Sequence, residues 1–254
     1  MIIQIVHAKM DENGKIDGPL VGDQTGKEIL TQNFYLNDST YLLICRDKQM
    51  AKRAADFAVQ IARDDHYGYS QGSEKRWTGH KAIIAHGGID GAEGSFDCAT
   101  LMFTVYILAG LKIKPDGYTG NLVQKFEATG MFTVLNGSPY TASDDYAEVG
   151  ALYVRPKTSA RGGHVFMALG AGSKAGKALE QNEDVIGQIV VDGIKKWCNV
   201  HGGAGLECPI IGRAYLNDVY DIIGVEDGWY KIDYKGAVGY IFGDLVSEKL
   251  AGNV

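Results

Sequence analysis

Apolar residues recur in this chain with two different periods, and the period changes along its length. Between Lys48 and Arg63, Met50, Ala54, Phe57, Ala58 and Ile61 fall at helical spacing, which predicts a helix with one buried stripe and a charged outer face. A second helix is predicted onward from Cys98, with Leu101, Met102, Val105, Leu108 and Ala109 inward and Gly110 as its stop. It reads as the central buried helix. Thr119 caps a shorter one that carries Leu122, Val123 and Phe126 on one side and ends at Gly130. The other apolar runs are short and bounded by turn formers. Residues 2–9, 34–45, 149–155, 164–169, 178–181 and 185–191 read as strands, the later ones as an antiparallel sheet. From about Asp192 the runs become shorter and closer, at 197–200, 209–212, 219–225, 228–232 and 236–241, a texture that suits a small barrel. The thirty or so residues that include Gly68-Tyr69-Ser70-Gln71-Gly72 and Gly87-Gly88 show no clear period and read as a long irregular stretch, of a length that is functional or disordered in compact domains. The pattern therefore predicts two domains, residues 1–190 with helices and a sheet, and an all-β unit over residues 191–254.

Composition adds limits. A chain of 254 residues with 45% hydrophobic and 22% charged residues is long enough for two cores, and 34 glycines against five prolines fit many tight turns. The net charge of −6, without a Lys/Arg run, argues against nucleic acid or an anionic membrane surface as partner. The opening Met1-Ile2-Ile3-Gln4-Ile5-Val6-His7-Ala8-Lys9 has no basic n-region, and its apolar stretch is too short for a signal peptide or a membrane span. Synthesis in the cytoplasm is expected. Cys45, Cys98, Cys198 and Cys208 form no paired framework, so reduced thiols are expected; Cys198 and Cys208 could meet in a hairpin, but spacing alone does not fix the geometry of a bridge.

The candidate chemistry lies at Cys98. In Ser95-Phe96-Asp97-Cys98-Ala99-Thr100 a polar loop turns into an apolar helix, and a helix N-terminus favours the nucleophilic thiolate. Further on, Gly163-His164-Val165-Phe166-Met167 offers a histidine at the start of a buried strand. Either residue alone is more often structural; a helix-borne cysteine followed by a strand-borne histidine is the order of a thiol hydrolase. His66, His80 and His86 match no zinc spacing, and Gly22 to Glu28 lacks the order of a phosphate loop, so neither a metal nor another cofactor is implied.

The motifs HAKMDENGK, GDQTGKE, HYGYSQG, FDCATLM, YTGNLVQKFEATGMF and GHVFMALG together resemble NlpC-type cysteine peptidases of the papain-like class, in the form found in phage endolysins and related cell-wall hydrolases. The tail, CNVHGGAG followed by IIGRAYLNDVYDIIGVEDGWYKIDYKGAVGYI, resembles a bacterial SH3-like domain, with His201 where such domains usually carry arginine. The resemblance implies an α+β fold: a papain-like catalytic domain with a central helix on an antiparallel sheet, plus a small SH3-like barrel. It implies Cys98 as nucleophile and His164 as base, oriented by a third polar residue on the following strand, for which Glu180, Gln181 and Asn182 compete and Glu180 is preferred. Tyr69, Gln71 and Asp97 are the candidates around the substrate and oxyanion. The partner would be bacterial peptidoglycan, cut at the γ-D-glutamyl to diamino acid amide or at the muramoyl to L-alanine amide, with Trp229, Tyr230 and Tyr240 as candidate wall contacts. A missing export signal fits an enzyme that reaches the wall through a membrane lesion. An inactive wall-binding protein and a thiol amidase acting on another amide are the alternatives. From Asp192 onward nine Asp/Glu face six Lys/Arg, so charge attraction to anionic wall polymers is not the expected binding mode.

Overall fold

The computed structural model describes residues 2–17, 20–23, 25–178, 186–234 and 237–249. Contacts divide the chain into two compact units, Met1–Gly176 and Lys177–Val254. The first contains, in chain order, strands β1 (Gln4–Ala8), β2 (Ile29–Asn33) and β3 (Tyr41–Cys45), helix α1 (Lys48–Ala62), strand β4 (Tyr67–Tyr69), helix α2 (Thr78–His86), strand β5 (Gly94–Phe96), helices α3 (Cys98–Leu108) and α4 (Leu122–Glu127), and strands β6 (Phe132–Asn136), β7 (Leu152–Arg155) and β8 (His164–Ala168). Six of the strands form an antiparallel sheet in the order β2-β1-β8-β7-β3-β6.

The sheet is covered on both faces. Val6, Ala8, Leu43, Leu152, Val154, Val165 and Met167 join the core built with α1 and α3. The alternate residues Ile5, His7, Leu42, Tyr153 and Phe166 are also buried, on the opposite face by the two-residue period of a strand. There Phe34 meets Tyr153 and Phe166 edge-on, and Tyr153 stacks on Phe166. Burial on both sides is why these strands read as continuous apolar runs. Helix α3 is buried from Cys98 to Tyr106, so it lacks the polar stripe of a surface helix and is the central helix that the pattern predicts.

The stretch expected to be irregular is largely ordered. Strands β4 and β5 pair in parallel, Tyr69 opposite Phe96, and α2 packs on β5. The close approach needs two glycines: a Cβ on Gly79 would lie 2.4 Å from the Phe96 ring, and one on Gly94 would lie 2.4 Å from the Gly79 nitrogen. Helix α2 buries only Gly79, His80 and Ile83, too few apolar positions to show a period.

The second unit holds β9 (Gly187–Val191), β10 (Trp197–His201), β11 (Ile210–Tyr215), β12 (Val219–Glu226), β13 (Trp229–Tyr234), β14 (Ala237–Phe242) and β15 (Val246–Lys249). All pair antiparallel in the order β11-β10-β14-β13-β12-β9-β15, around Ile189, Val191, Val200, Ile222, Ile232 and Ile241. The pattern places β9 with the first domain; it pairs with β12 and β15 in the second. Ala178 is helical rather than extended, and residues 179–181 of the strand expected there lie outside the described residues. Cys198 stands opposite Ala214, and all four cysteines are free. Among the described residues no helix is long and apolar enough to cross a membrane.

Candidate active site

Asp97 starts the site because it starts α3. Its carboxylate accepts from the Thr100 backbone N–H at 2.8 Å while the Thr100 hydroxyl accepts from the Asp97 N–H at 2.8 Å, a reciprocal cap. Arg76 Nε lies 3.1 Å from Asp97 Oδ2 as an ion pair, without hydrogen-bond alignment, and Arg76 Nη2 donates to the Gly117 carbonyl at 2.6 Å. Capped and paired in this way, Asp97 fixes the first turn of α3 and with it the Cys98 side chain. The role the structure gives Asp97 is that of an anchor beneath the thiol.

Cys98 is buried, 5% exposed. Burial first, and then the Asp97 carboxylate, push its thiol up to about 12, against the backbone N–H groups of Val165 and Ala99 and the Arg76 cation, which favour the charged form. The helix N-terminus taken alone gives the opposite direction. Desolvation is the larger effect here, so Cys98 rests as a thiol.

The Val165 backbone N–H that favours the charged form of Cys98 belongs to the residue after His164, so the candidate cysteine lies against the backbone of the strand that carries the candidate histidine. His164 Nε2 lies 2.9 Å from His7 Nδ1, with the rings edge-to-face at 5.1 Å. Burial, helped by His7, Arg155 and Lys9, lowers His164 to about 3. Burial and Lys9 lower His7 to about 4, against the Gln32 side chain, which favours the charged form. Both imidazoles are therefore neutral at neutral pH. With Nε2 of His164 engaged by His7, Nδ1 is the ring nitrogen left to take a proton.

His7 sits on β1, which pairs with β8, so the polar neighbour of His164 comes from the start of the chain. Sequence reasoning missed it. The only signal is one histidine in the apolar run 2–9. Glu180, Gln181 and Asn182, expected to orient His164, lie outside the described residues.

A cleft of about 580 Å³ opens over His164, lined also by Lys9, Tyr35, Tyr69, Gln71 and Arg155. Tyr69 and Gln71, expected around the substrate and oxyanion, line this cleft with His164. Gln71 Nε2 donates to the Tyr69 hydroxyl at 2.7 Å, leaving that hydroxyl's proton for another acceptor. The Tyr69 backbone is held by Glu28, whose Oε2 accepts its N–H at 2.7 Å. Glu28 is placed in turn by Asp23, which accepts from the backbone N–H groups of Thr25, Lys27, Glu28 and Ile29. The loop with the look of a phosphate loop is thereby a brace for the cleft wall.

The histidines weighed as zinc ligands diverge: His66 bonds Asp64, and His80 faces Thr104. Among the described residues no three His, Cys, Asp or Glu side chains are grouped to hold a metal ion. In the second unit Trp229 is 6% exposed and packs against His201 and Phe242, while His201 meets the Cys208 carbonyl at 3.1 Å. Tyr230 is half-buried and donates to Glu248; Tyr240, also half-buried, stands opposite Lys231. The more exposed aromatics are Trp197 and Tyr215, partners across β10 and β11, with Arg213 over the Trp197 ring at 4.0 Å.

Residues 5–175 match the endolysin-like domain family, and residues 198–247 match the bacterial SH3 domain. No curated protein matches the chain.

Proposed function

The chain belongs to the endolysin-like domain family, and we propose that it is a peptidoglycan hydrolase that works through a thiol in the papain-like manner. Cys98 attacks an amide carbonyl of the stem peptide as His164 Nδ1 takes the thiol proton. The proton then passes to the leaving amine, which departs and leaves a thioester on Cys98. Water, deprotonated by His164, adds to the thioester and releases the carboxylic acid and the thiol. His7 acts on His164 as a positioning residue: it accepts the Nε2–H and so holds the tautomer with Nδ1 free. The single observation that carries this reading is the junction at β8, where Val165 meets the Cys98 sulfur and its neighbour His164 faces both His7 and the cleft. The bacterial SH3 match supports a wall-holding role for the second unit, and Trp197, Arg213 and Tyr215 give it an aromatic and cationic surface suited to neutral wall peptides.

The test is mass spectrometry of fragments released from purified peptidoglycan of several cross-bridge types. The expected result is defined stem-peptide fragments whose new termini place the cut at the γ-D-glutamyl to diamino acid amide; a new L-alanine terminus would assign the muramoyl amide instead. Absence of release from every wall type, by folded protein that still sediments with sacculi, would leave a binding protein and end the hydrolase reading.

Tyr69 supplies a smaller check. Its free hydroxyl proton faces the cleft beside Cys98 and is available to the developing oxyanion, with the backbone N–H of Cys98 as the second donor. Tyr69→Phe keeps the ring and removes that donor, so kcat is expected to fall about tenfold or more with little change in KM. An unchanged kcat would remove Tyr69 from the reaction.

A further inference from the structure

The cleft over His164 carries two cations that the reaction does not use. Arg155 is the cross-strand partner of His164 and lines the same cleft with Lys9. Its guanidinium is fixed at two points: Nη1 donates to the Asn37 carbonyl at 2.9 Å and Nε to the Gly162 carbonyl at 3.2 Å. Both anchors are neutral. Among the described residues neither Arg155 nor Lys9 has a carboxylate partner, and the acid on this wall, Asp38, is paired with Arg161 at 2.6 Å. An arginine held flat by backbone carbonyls, with its other N–H donors directed to no protein acid, is preorganised to receive a carboxylate in fork geometry. A positive cleft in a chain of net charge −6 points the same way.

We propose that Arg155, supported by Lys9, forms a subsite for a free carboxylate on the residue whose amide is cut. This rests on the hydrolase reading and narrows it. In a stem peptide, the residue acylating the diamino acid through its γ-carbonyl keeps its α-carboxylate free, whereas the muramoyl to L-alanine amide has no carboxylate on either joined residue. The subsite therefore selects the γ-D-glutamyl amide, and it selects walls in which that α-carboxyl is free over walls in which it is amidated.

The experiment uses the full chain and two synthetic peptides, L-Ala-γ-D-Glu-diamino acid and its α-carboxamide counterpart. The wild-type protein is expected to favour the free carboxylate by about 10- to 100-fold in kcat/KM, the range of a hydrogen bond to a charged group. Arg155→Met should bring that ratio near one, and Arg155→Lys should restore part of it. A ratio near one in the wild type, or an equal fall on both peptides in Arg155→Met as a merely structural arginine would give, overturns the subsite and leaves the hydrolase reading intact. Where neither peptide nor intact wall is cut, the hydrolase reading fails, and isothermal titration of the same peptides decides the subsite. A preference in Kd that Arg155→Met removes supports it, and equal affinities overturn it.

Discussion

Cys98→Ala is expected to abolish release of soluble fragments from peptidoglycan while the protein stays folded and keeps sedimenting with sacculi. The residue provides the only atom on which the proposed acyl intermediate forms, so no neighbour can replace it, and the residual rate should be that of the wall without enzyme. Stability should change little. Cys98 is the first residue of α3, where alanine is a good helix former, and the cap by Asp97 and Thr100 does not involve the sulfur; the loss of one buried sulfur costs about 1 kcal/mol. Because burial keeps the thiol protonated, iodoacetamide should modify Cys98 slowly at neutral pH, more slowly than the partly exposed Cys208. Fragment release by Cys98→Ala at the wild-type rate would assign the chemistry elsewhere. Rapid, selective alkylation of Cys98 would show instead that the thiol is ionised at rest.

The contrast between what the sequence discloses and what it conceals follows from the range of the interactions involved. Helices α1 and α3 and the strand carrying His164 depend on residues close together in the chain, and the pattern reports them. Local chemistry also marks Cys98 and His164, because their types and surroundings are unusual together. His7 is different. It reaches His164 only because β1 and β8 lie side by side, a contact across 157 residues, and no local pattern encodes strand order. The same holds for β9, which reads in sequence with the strands before it but pairs with those after it. Helix α2 and strand β5 depend on the mutual fit of Gly79, Gly94 and Phe96, a packing condition rather than a periodic one. The ionisation of Cys98 follows a similar rule: the helix terminus is visible in sequence, whereas the depth of burial that reverses its effect is a tertiary property.

The histidine pair gives the second large effect. His164→Ala is expected to lower kcat/KM by about 10²- to 10⁴-fold, the usual range for loss of a general base, and His7→Ala should lower kcat while changing KM little, since His7 acts through the tautomer of His164. The same pair fixes the response to pH. Both imidazoles are held below their ordinary value of 6.5, His164 to about 3 and His7 to about 4, chiefly by burial, and the thiol is pushed up to about 12. Thiol and free base thus coexist from mildly acid to alkaline pH, and kcat/KM should be flat between about pH 6 and 9. A resting thiolate–imidazolium pair would give a bell within that window. Stability responds with a definite sign. An imidazole lowered on folding is neutral in both states above 6.5, so its contribution is fully present there. Below 6.5 the unfolded chain takes up the proton that the folded chain refuses, and stability falls as the pH drops from 6.5 towards about 4. His7, fully buried, accounts for about 3 kcal/mol of that loss, and the coupled pair titrates as a unit. Urea unfolding at pH 7, 6, 5 and 4 measures it: His7→Phe should lose less stability across that range than the wild type. If the two proteins lost stability in parallel, the pair would not be buried neutral as described.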